Sequence, residues 1–203
     1  MIEQRLEQLN ATLANEPNNI PALYERALWL AGDYIANDEC LYDEHAQNYR
    51  QSLEDLDKII ELDPKHALAQ YHKACIYFSL DIDDEEAESL LYTALELEPN
   101  NVDAMYKYAE VITYNGENSD HGVALMDRVI AIDPSSSAYM MKGVYLMGDA
   151  EYNFIICDIP QALDTLRLAI TNFEHAINLD PEAHKEYGLE KIEECLAQIK
   201  ANS

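Results

Sequence analysis

The chain has 203 residues, with 39 Asp and Glu against 13 Lys and Arg, so its formal net charge is −26 at pH 7. Neutralising phosphates takes clustered basic residues and none exist here, which argues against direct nucleic-acid binding; no apolar run reaches the ~18 residues of a membrane-spanning helix. With 48% apolar residues and only six glycines, the chain can bury a continuous helical core.

In chain order, Met1 to Asn15 reads as a lone helix carrying Leu6, Leu9 and Leu13. It ends at Asn15-Glu16-Pro17, the first of five helix-ending signals. The others are Leu62-Asp63-Pro64, Leu97-Glu98-Pro99, Ile132-Asp133-Pro134 and Leu179-Asp180-Pro181. Proline lacks an N–H and clashes with the preceding turn, so it closes an apolar-periodic stretch. The five prolines are 47, 35, 35 and 47 residues apart, which makes this a repeat protein with four units between residues 16 and 181. The first half of each unit carries a stripe at helical spacing: Tyr24, Ala27, Leu28, Ala31; Tyr71, Ala74, Cys75, Phe78; Met105, Tyr108, Ala109, Ile112; and Met140, Gly143, Val144, Met147. The second half carries another: Ser52, Leu56, Ile59; Ala87, Leu91, Ala94; Gly122, Met126, Val129; and Ala169, Phe173, Ala176. Both stripes read as core. Residues 182 to 200 form a closing helix with Leu189, Ile192, Leu196 and Ile199 on one stripe.

This pattern resembles the tetratricopeptide-repeat family, whose unit of about 34 residues is a helix, a turn and a helix ending in an acidic-Pro step. Ala94-Leu95-Glu96-Leu97-Glu98-Pro99-Asn100-Asn101 carries the resemblance most clearly. It implies an all-α, right-handed α-solenoid of about ten helices forming one domain over residues 1–203: an N-terminal helix (1–15), four repeats (16–181) and a capping helix with its tail (182–203).

The first and fourth units each hold about a dozen extra residues. Tyr34, Ile35, Leu41, Tyr42 and Tyr49 in one, and Tyr152, Phe154, Ile155, Ile156, Ile159, Ala162 and Leu163 in the other, favour longer helices over loose tips. Because the acidic-Pro turns are retained, growth is expected where the two helices of one unit meet, giving two tall hairpins flanking two short ones with a notch between them. The turns inside the units are acidic: Asp33, Asp38, Glu39, Asp43, Glu44; Asp81, Asp83, Asp84, Glu85, Glu86, Glu88; Glu117, Asp120; and Asp149, Glu151, Asp158. An edge of one sign focuses a field that draws in a basic partner; the plainer account is that acids in a first helical turn stabilise the helix dipole. From this set Asp38, Glu39, Asp81, Asp83, Asp84, Glu85, Glu86 and Glu151 are the candidate acidic contacts.

Arg26, Lys73, Lys107 and Lys142 each fall two residues after Tyr24, Tyr71, Met105 and Met140, forming a basic ladder on the first helices. The resemblance implies that these helices line a concave groove, where basic residues of some members hold a peptide's carboxylates. The competing reading is that the ladder balances nearby acids. Trp29, Tyr106, Tyr114 and Tyr145 supply rigid amphipathic rings of the kind that anchor peptides, and complete the candidate groove set.

Phosphate-binding, nucleophile-elbow and zinc-protease motifs are absent, and no histidine pairs with a cysteine at zinc spacing. Asp81 to Glu86 lacks the glycine that a calcium loop needs. No catalytic residue, metal or cofactor is therefore assigned. The opening Met1-Ile2-Glu3-Gln4-Arg5 has no export signal, and Cys40, Cys75, Cys157 and Cys195 read as free core thiols, so the expected location is cytoplasmic. The leading function is a non-catalytic adaptor or scaffold binding a protein or peptide. The second is an acidic neutralising protein, such as a toxin immunity factor or nucleic-acid mimic, that binds a basic protein. The sequence leaves the oligomeric state open.

Overall fold

In a computed structural model, the structure describes residues 2–32, 43–114 and 118–202. Ten α-helices and no strand occur among them: α1 (Ile2–Asn15), α2 (Ile20–Ala31), α3 (Asp43–Leu62), α4 (Ala67–Ser79), α5 (Asp84–Leu97), α6 (Val102–Thr113), α7 (Ser119–Ile132), α8 (Ser136–Ile155), α9 (Ile159–Leu179) and α10 (Pro181–Asn202). They fall into two compact units, Met1–Pro99 and Asn100–Ser203. Each unit consists of antiparallel hairpins in which successive helices pack side by side.

The helix boundaries follow from caps. Asn19, Asp83, Asn101, Ser135 and Asp158 each accept a bond from the backbone N–H three residues on, which satisfies one of the orphan donors at a helix start. Asp84, Glu85 and Glu86 occupy the first turn of α5, where the positive dipole end favours them. The chain leaves α5, α7 and α9 through Glu98, Asp133 and Asp180, the acidic residues of the repeated acidic-Pro signal.

All four second-half stripes are buried, with Ile59, Ala87, Leu91, Met126, Val129, Ala169, Phe173 and Ala176 wholly enclosed. In the first unit Leu56 and Ile59 pack with Leu9, Leu13, Leu23, Ala27, Ala69 and Ile76. In the second, Phe173 packs with Met140, Leu146, Leu166, Ala169 and Cys195. Gly143 shows why a small residue recurs in the first helices: an added Cβ there would lie 2.4 Å from the Phe173 ring.

The fourth hairpin is long in both arms, 20 residues in α8 and 21 in α9, against 12 to 14 in α4 to α7. In the first hairpin α3 also runs 20 residues, whereas α2 stops at Ala31 before Gly32, so the described extra length sits in one arm. Two expectations need correcting. Leu189 and Leu196 are exposed; α10 instead buries Gly188 and Cys195, flanked by half-buried Ile192 and Ile199, because Gly188 alone lets the helix approach Ile177 and Met140. Cys157 is exposed at a left-handed turn (φ 63°), not a core thiol, whereas Cys75 and Cys195 are buried. The fourth hairpin is lengthened as expected, α8 running to Ile155 with Ile156 as its cap, both on the surface.

Candidate functional site

The basic ladder is tied down by the protein's own carboxylates. Arg26 makes a forked pair with Asp55 of α3 at 2.7 and 2.6 Å and also donates to Asn10 of α1 at 2.7 Å. Asp55 is only 3% exposed, so this is a buried, bidentate contact joining three helices. Lys73 reaches Asp57 of α3 at 2.8 Å and lies 5.1 Å from the Tyr77 ring centre, with Glu86 of α5 at 3.9 Å. Burial acts against its charge, but the Asp57 bond and the surrounding negative groups outweigh it and raise its pKa. Lys142 pairs with Asp127 of α7.

Lys107 is the exception, bonding Glu110 on its own helix at 2.7 Å. The small buried residue of each first helix explains why. Arg26, Lys73 and Lys142 immediately precede Ala27, Ala74 and Gly143, whereas Lys107 stands two before Ala109 and therefore points elsewhere on the helix. The four are not equivalent, although their spacing from the preceding Tyr or Met is the same.

In the first unit Arg26 and Asp55 line a cleft of about 400 Å³ together with Asn10, Leu13, Pro17, Gln51, Glu54 and Lys58. Trp29 is outside that lining and 42% exposed; its indole N–H faces Glu25 at 3.4 Å, and Glu25 is held by Arg5. Tyr106, in the second unit, is half-buried with its hydroxyl 3.2 Å from Ser135.

The second unit contains a groove of about 430 Å³ bounded mainly by three helices, with Ser119 at the start of α7 at its edge. Glu110, Thr113 and Tyr114 come from α6 and its end, Met141, Val144, Tyr145, Met147, Gly148 and Glu151 from α8, and Tyr187, Lys191 and Glu194 from α10. Tyr114 is 66% exposed and Tyr187 45%, while Tyr145 is 6% exposed and forms the base. Burial, with the charge of Glu110 in addition, pushes the Tyr145 hydroxyl pKa up, and that buried hydroxyl has no hydrogen-bond partner among the described residues. Lys191 holds both oxygens of Glu194 at 2.9 Å and lies 5.4 Å from the centre of the Tyr187 ring. The Glu194 bond is the main reason its pKa is raised.

The groove thus gathers Tyr114 and Tyr145 from the candidate ring set and Glu151 from the acidic set. Asp81 (φ 51°), Asp83, Glu85 and Glu86 are exposed and Asp84 is half-buried, all at the start of α5 in the other unit. Asp38 and Glu39, with Asp33 and Glu117, lie outside the described residues. Sequence reasoning missed Met141, Met147, Tyr187, Lys191 and Glu194. Gly188 was the available signal: it plays in α10 the part of Ala109 and Gly143, marking α10 as one more groove-facing first helix rather than a plain cap.

No helix among the described residues is long and apolar enough to cross a membrane. No protein-family model and no curated protein matches the chain. Solved structures do. MamA from residue 41 to its end, from Desulfovibrio magneticus RS-1, is 19% identical with a TM-score of 0.65, covering 89% of this chain and 86% of that one. A MamA crystal structure is 22% identical with a TM-score of 0.61, covering 86% and 84%. YrrB, described as a TPR protein with an unusual peptide-binding site, is 16% identical with a TM-score of 0.58, covering 87% and 94%. At these identities the likeness concerns architecture, and the chain has the all-α fold of the tetratricopeptide-repeat proteins.

Proposed function

We propose that the chain is a non-catalytic interaction protein and that the groove between α6, α8 and α10 receives a segment of a partner protein. One observation carries this reading: the fold leaves Tyr114 and Tyr187 largely outside the core on the walls of a groove whose floor is Met141, Val144, Tyr145 and Met147. Tyrosines present large apolar area with few rotatable bonds, and thioethers adapt to varied shapes, so the lining suits an extended or helical segment. YrrB, of the same fold, is a peptide binder by its description, which supports the class of ligand. In this reading Tyr114 and Tyr145 are contact residues, while Arg26, Lys73 and Lys142 act as struts between helices.

The test is affinity capture from cell extract with the wild-type chain, a Tyr114→Ala/Tyr187→Ala variant and a Lys73→Glu/Lys107→Glu variant. A partner lost only in the tyrosine variant, with unchanged circular dichroism, supports the groove. A partner that survives it and falls away steeply with added salt moves the site to the acidic helix starts, as the neutralising-protein reading requires.

A further inference from the structure

We infer that the anchor received by the α6–α8–α10 groove is a lysine or arginine side chain, and that Lys191 is the protein's own stand-in for it. This rests on the proposed role of the groove and specifies its ligand. Three carboxylates line the groove: Glu110, Glu151 and Glu194. Glu110 is occupied by Lys107 from its own helix and Glu194 by Lys191. Glu151 has no ion-pair partner among the described residues.

Asp149 and Asp120 adjoin Gly148 and Ser119 of the groove lining. Burial first, and then the charge of Asp120, raise the pKa of Asp149. An incoming cation would find Glu151 and the exposed ring of Tyr114 in the same lining, which offers charge pairing and a ring face. The geometry for holding such a cation is already displayed on the opposite wall. There the Lys191 ammonium lies against the Tyr187 ring while both oxygens of Glu194 hold it, the contacts a bound lysine side chain would make.

Lys191 is thus a built-in competitor. It neutralises Glu194 when the groove is empty, and a ligand cation arriving at Glu194 would have to displace its half-buried side chain. An acidic segment, in contrast, would face uncompensated Glu151, and a wholly apolar one would bury the Glu194 and Lys191 charges without replacing their hydration.

A random heptapeptide display library panned on the full chain tests this. Enrichment for one Lys or Arg flanked by apolar residues is the expected result. Enrichment for acidic or purely apolar peptides overturns the inference while leaving the groove's binding role standing, provided Tyr114→Ala/Tyr187→Ala abolishes it. No enrichment above an unrelated protein overturns both. With the selected peptide in hand, Lys191→Met should raise affinity about fivefold by releasing Tyr187 and Glu194, and Glu151→Gln should lower it by a similar factor. Unchanged affinity in Lys191→Met, with thermal stability confirmed by circular dichroism, overturns the stand-in role. Replacing the peptide's basic residue by norleucine should abolish the response to Glu151→Gln.

Discussion

The first unit's cleft and the second unit's groove have nearly the same volume, about 400 and 430 Å³, but opposite linings. The cleft is crossed by the Arg26–Asp55 fork, which ties α2 to α3 and, through Asn10, to α1. The ion pairs described at the groove, Lys107–Glu110 and Lys191–Glu194, each lie within one helix, and the lining presents tyrosine and methionine side chains with carboxylates around them. Two hollows of similar size between repeat helices thus differ in whether an ion pair between helices crosses them. A basic side chain facing a repeat hollow signals binding or bracing according to whether a buried carboxylate waits within reach.

The comparison is broken most severely by Arg26→Ala. Asp55 would be left buried without its partner, and stability should fall by about 3 kcal/mol, measured by urea unfolding. Asp55→Leu added to Arg26→Ala should recover a large part of that loss; no recovery would mean that packing, not the charge, is responsible. Next is Gly143→Ala, beneath the groove floor. A Cβ 2.4 to 2.9 Å from Phe173 forces α8 and α9 apart, so a loss of about 2 kcal/mol is expected despite alanine's better helix propensity. A stabilised variant would show that the ring moves freely aside.

Lys107→Ala should change stability by less than about 0.5 kcal/mol, because its pair with Glu110 is partly exposed and lies along one helix. A loss comparable to that of Arg26→Ala would make Lys107 a strut after all. The smallest effect belongs to Asp149→Asn. Burial and Asp120 raise the folded-state pKa of Asp149, so its protonated form is favoured by folding; that contribution is present below the unfolded pKa and is lost as pH rises through the folded one. The variant should therefore be slightly more stable than wild type at neutral pH. The difference should vanish on acidification to about pH 3, where both side chains are uncharged. A difference independent of pH would assign the effect to packing.

Local rules carried the helix pattern a long way. A proline after an acidic residue ends a helix through its own covalent geometry, and the second-half stripes, whose 3.6-residue periodicity leaves only one apolar face, are all buried. Ala94 and Ala176 are enclosed and Glu96 is exposed, as that periodicity requires. Periodicity did not set the exact register of the first helices. The ladder aligned on Tyr24, Tyr71, Met105 and Met140 put Lys107 with the other three, because a one-residue offset hardly disturbs a stripe of mixed small and large residues. The offset turns a side chain by about 100° and so changes which neighbours it faces.

Residue types by themselves determined that this chain folds as helical hairpins with a strongly acidic surface, since helix closure, apolar spacing and charge are properties of short stretches. Which basic groups are satisfied was decided by tertiary structure alone. Asp55 lies 29 positions from Arg26 and is indistinguishable in sequence from its exposed neighbours Glu54 and Asp57, until packing against α2 buries it. The groove was decided in the same way. Tyr145 and Tyr187 are brought to one groove because Gly143 and Gly188 let their helices approach Phe173, Ile177 and Met140 closely, a steric condition that depends on neighbours distant in the chain.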